Sequence, residues 1–289
     1  MSADAVPPGA SLPATPLPSV FVSHGAPTLA LEDASARRFL QGFGATLGTP
    51  RAIVVISAHW ETALVTVTGA AQHDVIHDFF GFDAALYRLR YPAPGAPALA
   101  DDIVARLRDA GVAVARDDQR GLDHGAWIPL RLMYPDHDVP VVQVSICPAE
   151  DARFHFALGR LLAPLRAAGV LVMGSGALTH NLGEFRAGRR DPATLATPEY
   201  AHAFADWVAA TLAAGDGEAL IDWRERAPHA SRAHPSDDHF LPLHVAAGAA
   251  GEPFRGDRVH QGFMFGVIAM DDYVFTPRTG RKWSSLGCA

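Results

Sequence analysis

Short apolar runs alternate with stretches of helical spacing along the first two-thirds of the chain. Residues 18–23, 51–58, 64–68, 112–115, 139–146 and 170–173 have strand length, and the β-branched block Ile53-Val54-Val55-Ile56 suits a strand buried on both faces. Between these runs, residues 31–47 put Phe39, Leu40 and Phe43 on one helical face. Residues 97–110 form an amphipathic helix stopped by Gly111, and 127–133 and 150–168 predict two more helices. The alternation predicts an α/β fold: a single domain with a central, mostly parallel or mixed sheet flanked by helices on both faces. After Asn181 the pattern turns helical, most clearly over 198–214 and 239–249, and 258–270 and 273–276 close the chain as strands. The segment 69–96 holds Phe79, Phe80, Phe82, Tyr87 and Tyr91 without regular spacing, which suits either a lid or a satellite of the core.

Composition narrows the class. A chain of 289 residues, 49% of them hydrophobic, can bury a full core. A formal net charge of -7 argues against a general nucleic-acid binder, and the basic tail cluster Arg278, Arg281 and Lys282 suits a solvated end. No apolar run approaches the roughly 20 residues of a membrane-spanning helix, and no signal peptide is evident. The two cysteines, Cys147 and Cys288, make neither a disulfide framework nor a thiolate metal site. These features point to a soluble cytoplasmic protein with Cys147 in its core. Residues 1–17 are rich in Pro, Ala and Ser and predict a disordered leader, and 278–289 a flexible tail.

The candidate chemistry lies in the fourteen histidines. His24 and His59 each stand where a strand-like run ends, the edge at which open α/β sheets bind ligands. His239 enters a late helix, His124 sits on a glycine-flanked turn before a helix starting at Trp127, and His180 follows Gly174-Ser175-Gly176. With no CxxC pairs and no HExxH, any metal here is held by N and O ligands, and imidazole alone does not choose among Zn, Fe, Cu and Ni. The Gly174-Ser175-Gly176 turn lacks a full GxGxxG and suits a plain strand-to-loop connection. Asp123, Asp237 and Asp238 could accept hydrogen bonds from ligand imidazoles, although capping of the helix near His239 suits the last two better. His234 is a weaker rival to His239 because Pro235 favours a turn, and His244 points away from the face of His239. His73, His77, His137, His155, His202, His229 and His260 fall by default to surface or loop positions.

The segments His24-Gly25-Ala26-Pro27, Ser57-Ala58-His59-Trp60, Gly121 to Trp127, Thr179-His180-Asn181-Leu182 and His234 to His244 occur together in this order. Together they resemble the class III extradiol ring-cleavage dioxygenases, in particular the DOPA 4,5-dioxygenase-like branch, from about Pro18 to Thr276. The resemblance implies a catalytic domain over 18–277 that opens a catechol, DOPA or a related one, with O2 and non-haem Fe(II). It implies His24, His59 and His239 as metal ligands, His180 as the acid/base residue, and His124 as a second acid/base or orienting residue. Zn(II) is the alternative metal, with His180 as a fourth ligand. Ala26, Ala126 and Ala177-Leu178 depart from the family pattern at the pocket wall, which puts the substrate in doubt more than the reaction. A zinc hydrolase on the same three histidines, or an interaction protein with a vestigial site, are the competing readings. The partners implied are a small catechol and O2, without nucleic acid or membrane; homo-oligomerisation is left open.

Overall fold

The structure, a computed structural model, describes residues 15–185 and 196–278. Most of the expected leader and all of the tail beyond Arg278 lie outside the described residues. The strands in chain order are β1 (Ser19–Ser23), β2 (Ala52–Glu61), β3 (Val65–Thr68), β4 (Val114–Asp117), β5 (Val141–Ile146), β6 (Val170–Gly176), β7 (Phe254–His260), β8 (Phe263–Met264), β9 (Ile268–Ala269) and β10 (Asp272–Pro277). Eight of them form one mixed sheet in the order β4-β3-β5-β2-β6-β1-β10-β7, and β8 and β9 make a separate two-stranded ladder. The four central strands β5, β2, β6 and β1 run parallel. Beyond them, β3 is antiparallel to β5, and β10 is antiparallel to both β1 and β7.

The apolar runs form strands because both sheet faces are covered. Successive residues of β2 feed opposite cores: Ile53 and Val55 pack with Trp127, Leu40 and Phe43, whereas Val54 and Ile56 pack with Leu158, Leu162, Leu241 and Val245. The helices α1 (Ser35–Leu47) and α3 (His124–Met133) cover the first face. The helices α2 (Pro97–Asp109), α4 (Ala152–Leu162) and α6 (Leu241–Ala249) cover the second. A third cluster gathers Phe21, Phe204, Trp223, Phe240 and Phe275 beneath α5 (Glu199–Ala214). No described helix is long and apolar enough to cross a membrane.

Among the boundaries that differ from expectation, the strand expected over 258–270 is broken into β7, β8 and β9, and three helix boundaries also shift. The helix expected over 150–168 becomes a 3-10 helix at Ala163–Ala168, because Pro164 cannot continue the α-helical ladder. The helix expected from Trp127 begins at His124, because the Asp123 side chain accepts the Ala126 N–H and caps it three residues earlier. The helix expected from His239 begins at Leu241, and its N-cap, Phe240, offers no side-chain cap.

Candidate metal and ring-binding site

The C-terminal edge of the parallel strands delivers the first two imidazoles. His24 follows β1 directly, and its N–H donates to the Gly176 carbonyl at 3.0 Å. Ser23 before it is pinned on β10's side: its N–H donates to Asp272 Oδ1 at 2.7 Å and its hydroxyl to the Asp271 carbonyl at 2.9 Å. His59 lies within β2, not after it as its sequence suggests, since the strand runs on to Glu61. The third imidazole arrives just before α6, where the His239 carbonyl accepts the Ala177 N–H at 3.1 Å. Only glycine fits opposite: a Cβ on Gly176 would lie 2.1 Å from that carbonyl oxygen.

The three rings form a triangle with centroids 4.9 Å (His24–His59), 5.3 Å (His24–His239) and 4.8 Å (His59–His239) apart. His24 Nε2 and His59 Nε2 approach to 3.0 Å, and His24, His59 and His239 could together hold a metal ion. Burial, then the neighbouring imidazoles His59 and His239, holds His24 well below the ordinary histidine range. Burial likewise holds His239 low, and burial followed by His124 pulls His59 down to about 3. All three are therefore neutral at pH 7, the form in which imidazole binds a metal.

The tautomer of His24 follows from its neighbours. Pro129 has no N–H to offer the Gly125 carbonyl four residues back in α3, and the Ser175 hydroxyl donates to that carbonyl instead. With its proton so committed, Ser175 Oγ accepts from His24 Nδ1–H at 3.0 Å. His24 Nε2 therefore carries a lone pair. On His239, Asp238 Oδ2 accepts from Nδ1–H and again leaves Nε2 as the lone pair. With lone pairs on His24 Nε2 and His239 Nε2, and the ligand atoms of His24, His59 and His239 all within 4.8 Å of one another, this donor set fits a metal ion. Gly125 keeps the rings close: a Cβ there would lie 2.4 Å from Ser57 Oγ and 2.9 Å from His59 Cδ2.

Two further imidazoles border the triangle. The His180 ring lies on that of His239, and His124 approaches His59 with ring centroids 3.9 Å apart. Burial first lowers His180, to about 4, against the opposing pull of Asp238. A cavity of about 430 Å3 opens over these rings, lined by His59, His124, His180 and His239 and walled by Phe79, Phe82, Phe185 and Ile268. The aromatic segment around residue 80 thus supplies pocket wall, while Phe80 itself is 90% exposed.

All five histidines singled out in the sequence come together here; the supporting residues were less visible. Asp123 does not bond an imidazole: its carboxylate takes the Ser57 hydroxyl at 2.6 Å, the Gln143 amide and Arg120. The Asp237 side chain pairs with Arg224 and caps no helix, and Asp238 serves His239 instead. His234 lies outside the triangle, with Nε2–H donating to the Leu178 carbonyl at 2.8 Å. His73 and His155 are buried, not superficial, and bond the Val141 carbonyl and the Cys147 N–H respectively. Sequence reasoning missed Asp78, and also Ser175, which lies within β6 and not in the turn expected at Gly174-Ser175-Gly176. Neither carries a local signal, since Ser175 stands between two glycines and Asp78 between His77 and Phe79.

Residues 19–276 match a family described as the catalytic LigB subunit of aromatic ring-opening dioxygenase. A "4,5-DOPA dioxygenase extradiol" of Beta vulgaris is 41% identical over 260 residues, 89% of this chain and 95% of that protein. A protein of the same description from Escherichia coli (strain K12) is 40% identical over 239 residues, 81% of this chain and 86% of the other. The crystal structure of an uncharacterized protein from Escherichia coli K12 superposes with a TM-score of 0.72 at 32% identity, covering 90% of this chain and 99% of that one. These matches favour ring opening over a hydrolase or a non-catalytic protein. The chain belongs to the LigB family of aromatic ring-opening dioxygenases and is a metal-dependent extradiol dioxygenase.

Proposed function

We propose that this enzyme opens the ring of a catechol, DOPA or a close relative, with O2, using Fe(II) held by His24, His59 and His239. The observation that carries this reading is the convergence of three neutral imidazoles beside two more in one aromatic-walled cavity. Bound there, Fe(II) would supply Lewis acidity toward the catechol hydroxyls and redox chemistry toward O2. Three protein ligands leave positions for both reactants.

The chain's own residues handle the protons and the ring. His180, neutral at pH 7, accepts a proton released by a substrate hydroxyl and can return it later, and His124 is the second such residue. The walls of Phe79, Phe82 and Phe185 offer aromatic faces to a flat substrate and keep bulk water from the reacting oxygens. With zinc in the site, His180 is in reach as a fourth ligand, since its ligand atom and those of Asp238 and His239 lie within 4.8 Å of one another. A reducing cytoplasm suits both Fe(II) and the buried free thiol of Cys147.

Anaerobic reconstitution with Fe(II), followed by O2 uptake and visible spectra on a panel of catechols including DOPA, tests the reading. Oxygen consumption with a yellow ring-opened product is expected. Tight metal binding without oxygen uptake on any catechol would overturn it.

A further inference from the structure

Asp78 lies in the irregular segment between β3 and α2, outside the set of residues that line the cavity. Its carboxylate engages His124 twice: Oδ1 accepts the backbone N–H at 2.9 Å, and Oδ2 accepts from ring Nδ1 at 2.9 Å. The first of these contacts places negative charge at the first turn of α3, where the helix dipole favours it. The same Oδ2 stands 3.8 Å from His59 Nδ1, beyond hydrogen-bonding range. The carboxylate is thus bonded to His124 and only adjacent to the ligand His59.

An ionised carboxylate has no proton to give, so the hydrogen in the His124–Asp78 contact sits on Nδ1. A neutral imidazole carries one N–H, so Nε2 of this ring keeps its lone pair. We propose that Asp78 is a positioning residue for ring opening: it fixes His124 as the Nδ1–H tautomer and presents an acceptor nitrogen to the cavity. The pattern repeats through the site, where Ser175 does this for His24 and Asp238 for His239. Asp78 differs in serving an imidazole outside the ligand triangle. It also ties the cavity wall to the proton-handling ring, because Phe79 follows it directly and packs edge-on against His124 with centroids 5.7 Å apart.

This inference rests on the proposed role of His124, and the test separates the two. In Asp78→Asn the amide oxygen can still take the His124 backbone N–H, which leaves the amide nitrogen to donate to Nδ1 and drives the ring proton to Nε2. Histidine-selective nitrogen NMR on the full-length, zinc-loaded protein reads the tautomer, with His124 assigned by its absence in His124→Asn. Wild type should show Nδ1–H and Asp78→Asn should show Nε2–H, with zinc stoichiometry unchanged. In the Fe(II) enzyme kcat should fall by about 10- to 100-fold, with KM moving less than about threefold. An Nε2–H tautomer in wild type would overturn the proposal without recourse to any variant. So would a variant with unchanged tautomer and unchanged kcat, or one that folds normally but releases zinc, which would place the role of Asp78 at His59. A wild-type enzyme silent on every catechol would instead count against the proposed function, and the tautomer data would still decide the role of Asp78.

Discussion

The imidazoles of His180 and His239 lie face to face, centroids 3.4 Å apart and planes 10° from parallel. Two cations could not share that contact, and burial leaves both rings neutral near pH 7. The stack keeps the ring proposed to accept a proton against the ring proposed to bind the metal. His180 also keeps a second anchor, its backbone N–H donating to the Ala233 carbonyl at 2.8 Å.

Replacing His180 by alanine should leave the metal in place and lower kcat on the order of 10²- to 10⁴-fold, the range of a lost acid/base group. Metal stoichiometry and oxygen uptake on the same sample check this, and undiminished turnover would sink the assignment.

His59→Ala should abolish metal binding, because it removes the nitrogen 3.0 Å from His24 Nε2 and leaves two of three ligands. Metal content after anaerobic reconstitution and desalting is the measurement. A full complement of metal would refute the ligand role of His59.

Ser175→Ala strands two buried groups at once, His24 Nδ1–H and the Gly125 carbonyl. The expected cost is about 1–3 kcal/mol of stability for each group left without a partner, and roughly 10- to 100-fold in metal affinity. Denaturant unfolding of the metal-free protein and competition with a metal chelator read the two effects separately.

Acid should weaken the metal-free fold in part through His234. Burial holds this histidine at about 3, against an ordinary value of 6.5. Below pH 6.5 the unfolded chain takes up a proton that the folded one refuses, so this share of stability is intact above pH 6.5 and drains away as the pH falls toward 3. Every tenfold by which the unfolded chain binds that proton more tightly is worth about 1.4 kcal/mol. His234→Phe, set among Phe204, Trp223 and Phe240, should be less stable than wild type at about pH 7 and lose less between about pH 7 and pH 4.5. Parallel slopes for the two proteins would contradict this.

Protein produced with excess zinc should fold normally and consume no oxygen with a catechol, because zinc has no redox chemistry. Recovery of activity on exchange of zinc for Fe(II) completes the check.

Strands β1, β2, β5 and β6 were legible because a chain buried on both faces needs unbroken apolar runs. The five histidines were legible because each stands where such a run or a helix begins or ends. What escaped depends on contacts made only after folding. Ser175 meets a ring 151 positions away in the chain, and Asp78 one 46 positions away, so no local pattern distinguishes either from an ordinary polar residue. The early start of α3 was hidden because the aspartate that caps it is equally suited to an imidazole. His73 and His155 were misjudged because a polar residue in a loop or helix is exposed by default, and their burial depends on the backbone groups that receive them, the Val141 carbonyl for His73 and the Asp151 carbonyl and Cys147 N–H for His155.

Strands β1 and β2 are each bonded to β6 and not to one another. Two ladder spacings of about 4.8 Å therefore separate the backbones that carry His24 and His59, so peptide hydrogen bonds act as the ruler for these two proposed ligands. The aromatic walls hang from connecting segments that the ruler does not touch. Substitutions in those walls can therefore reshape the cavity while the spacing of His24 and His59 stays unaltered.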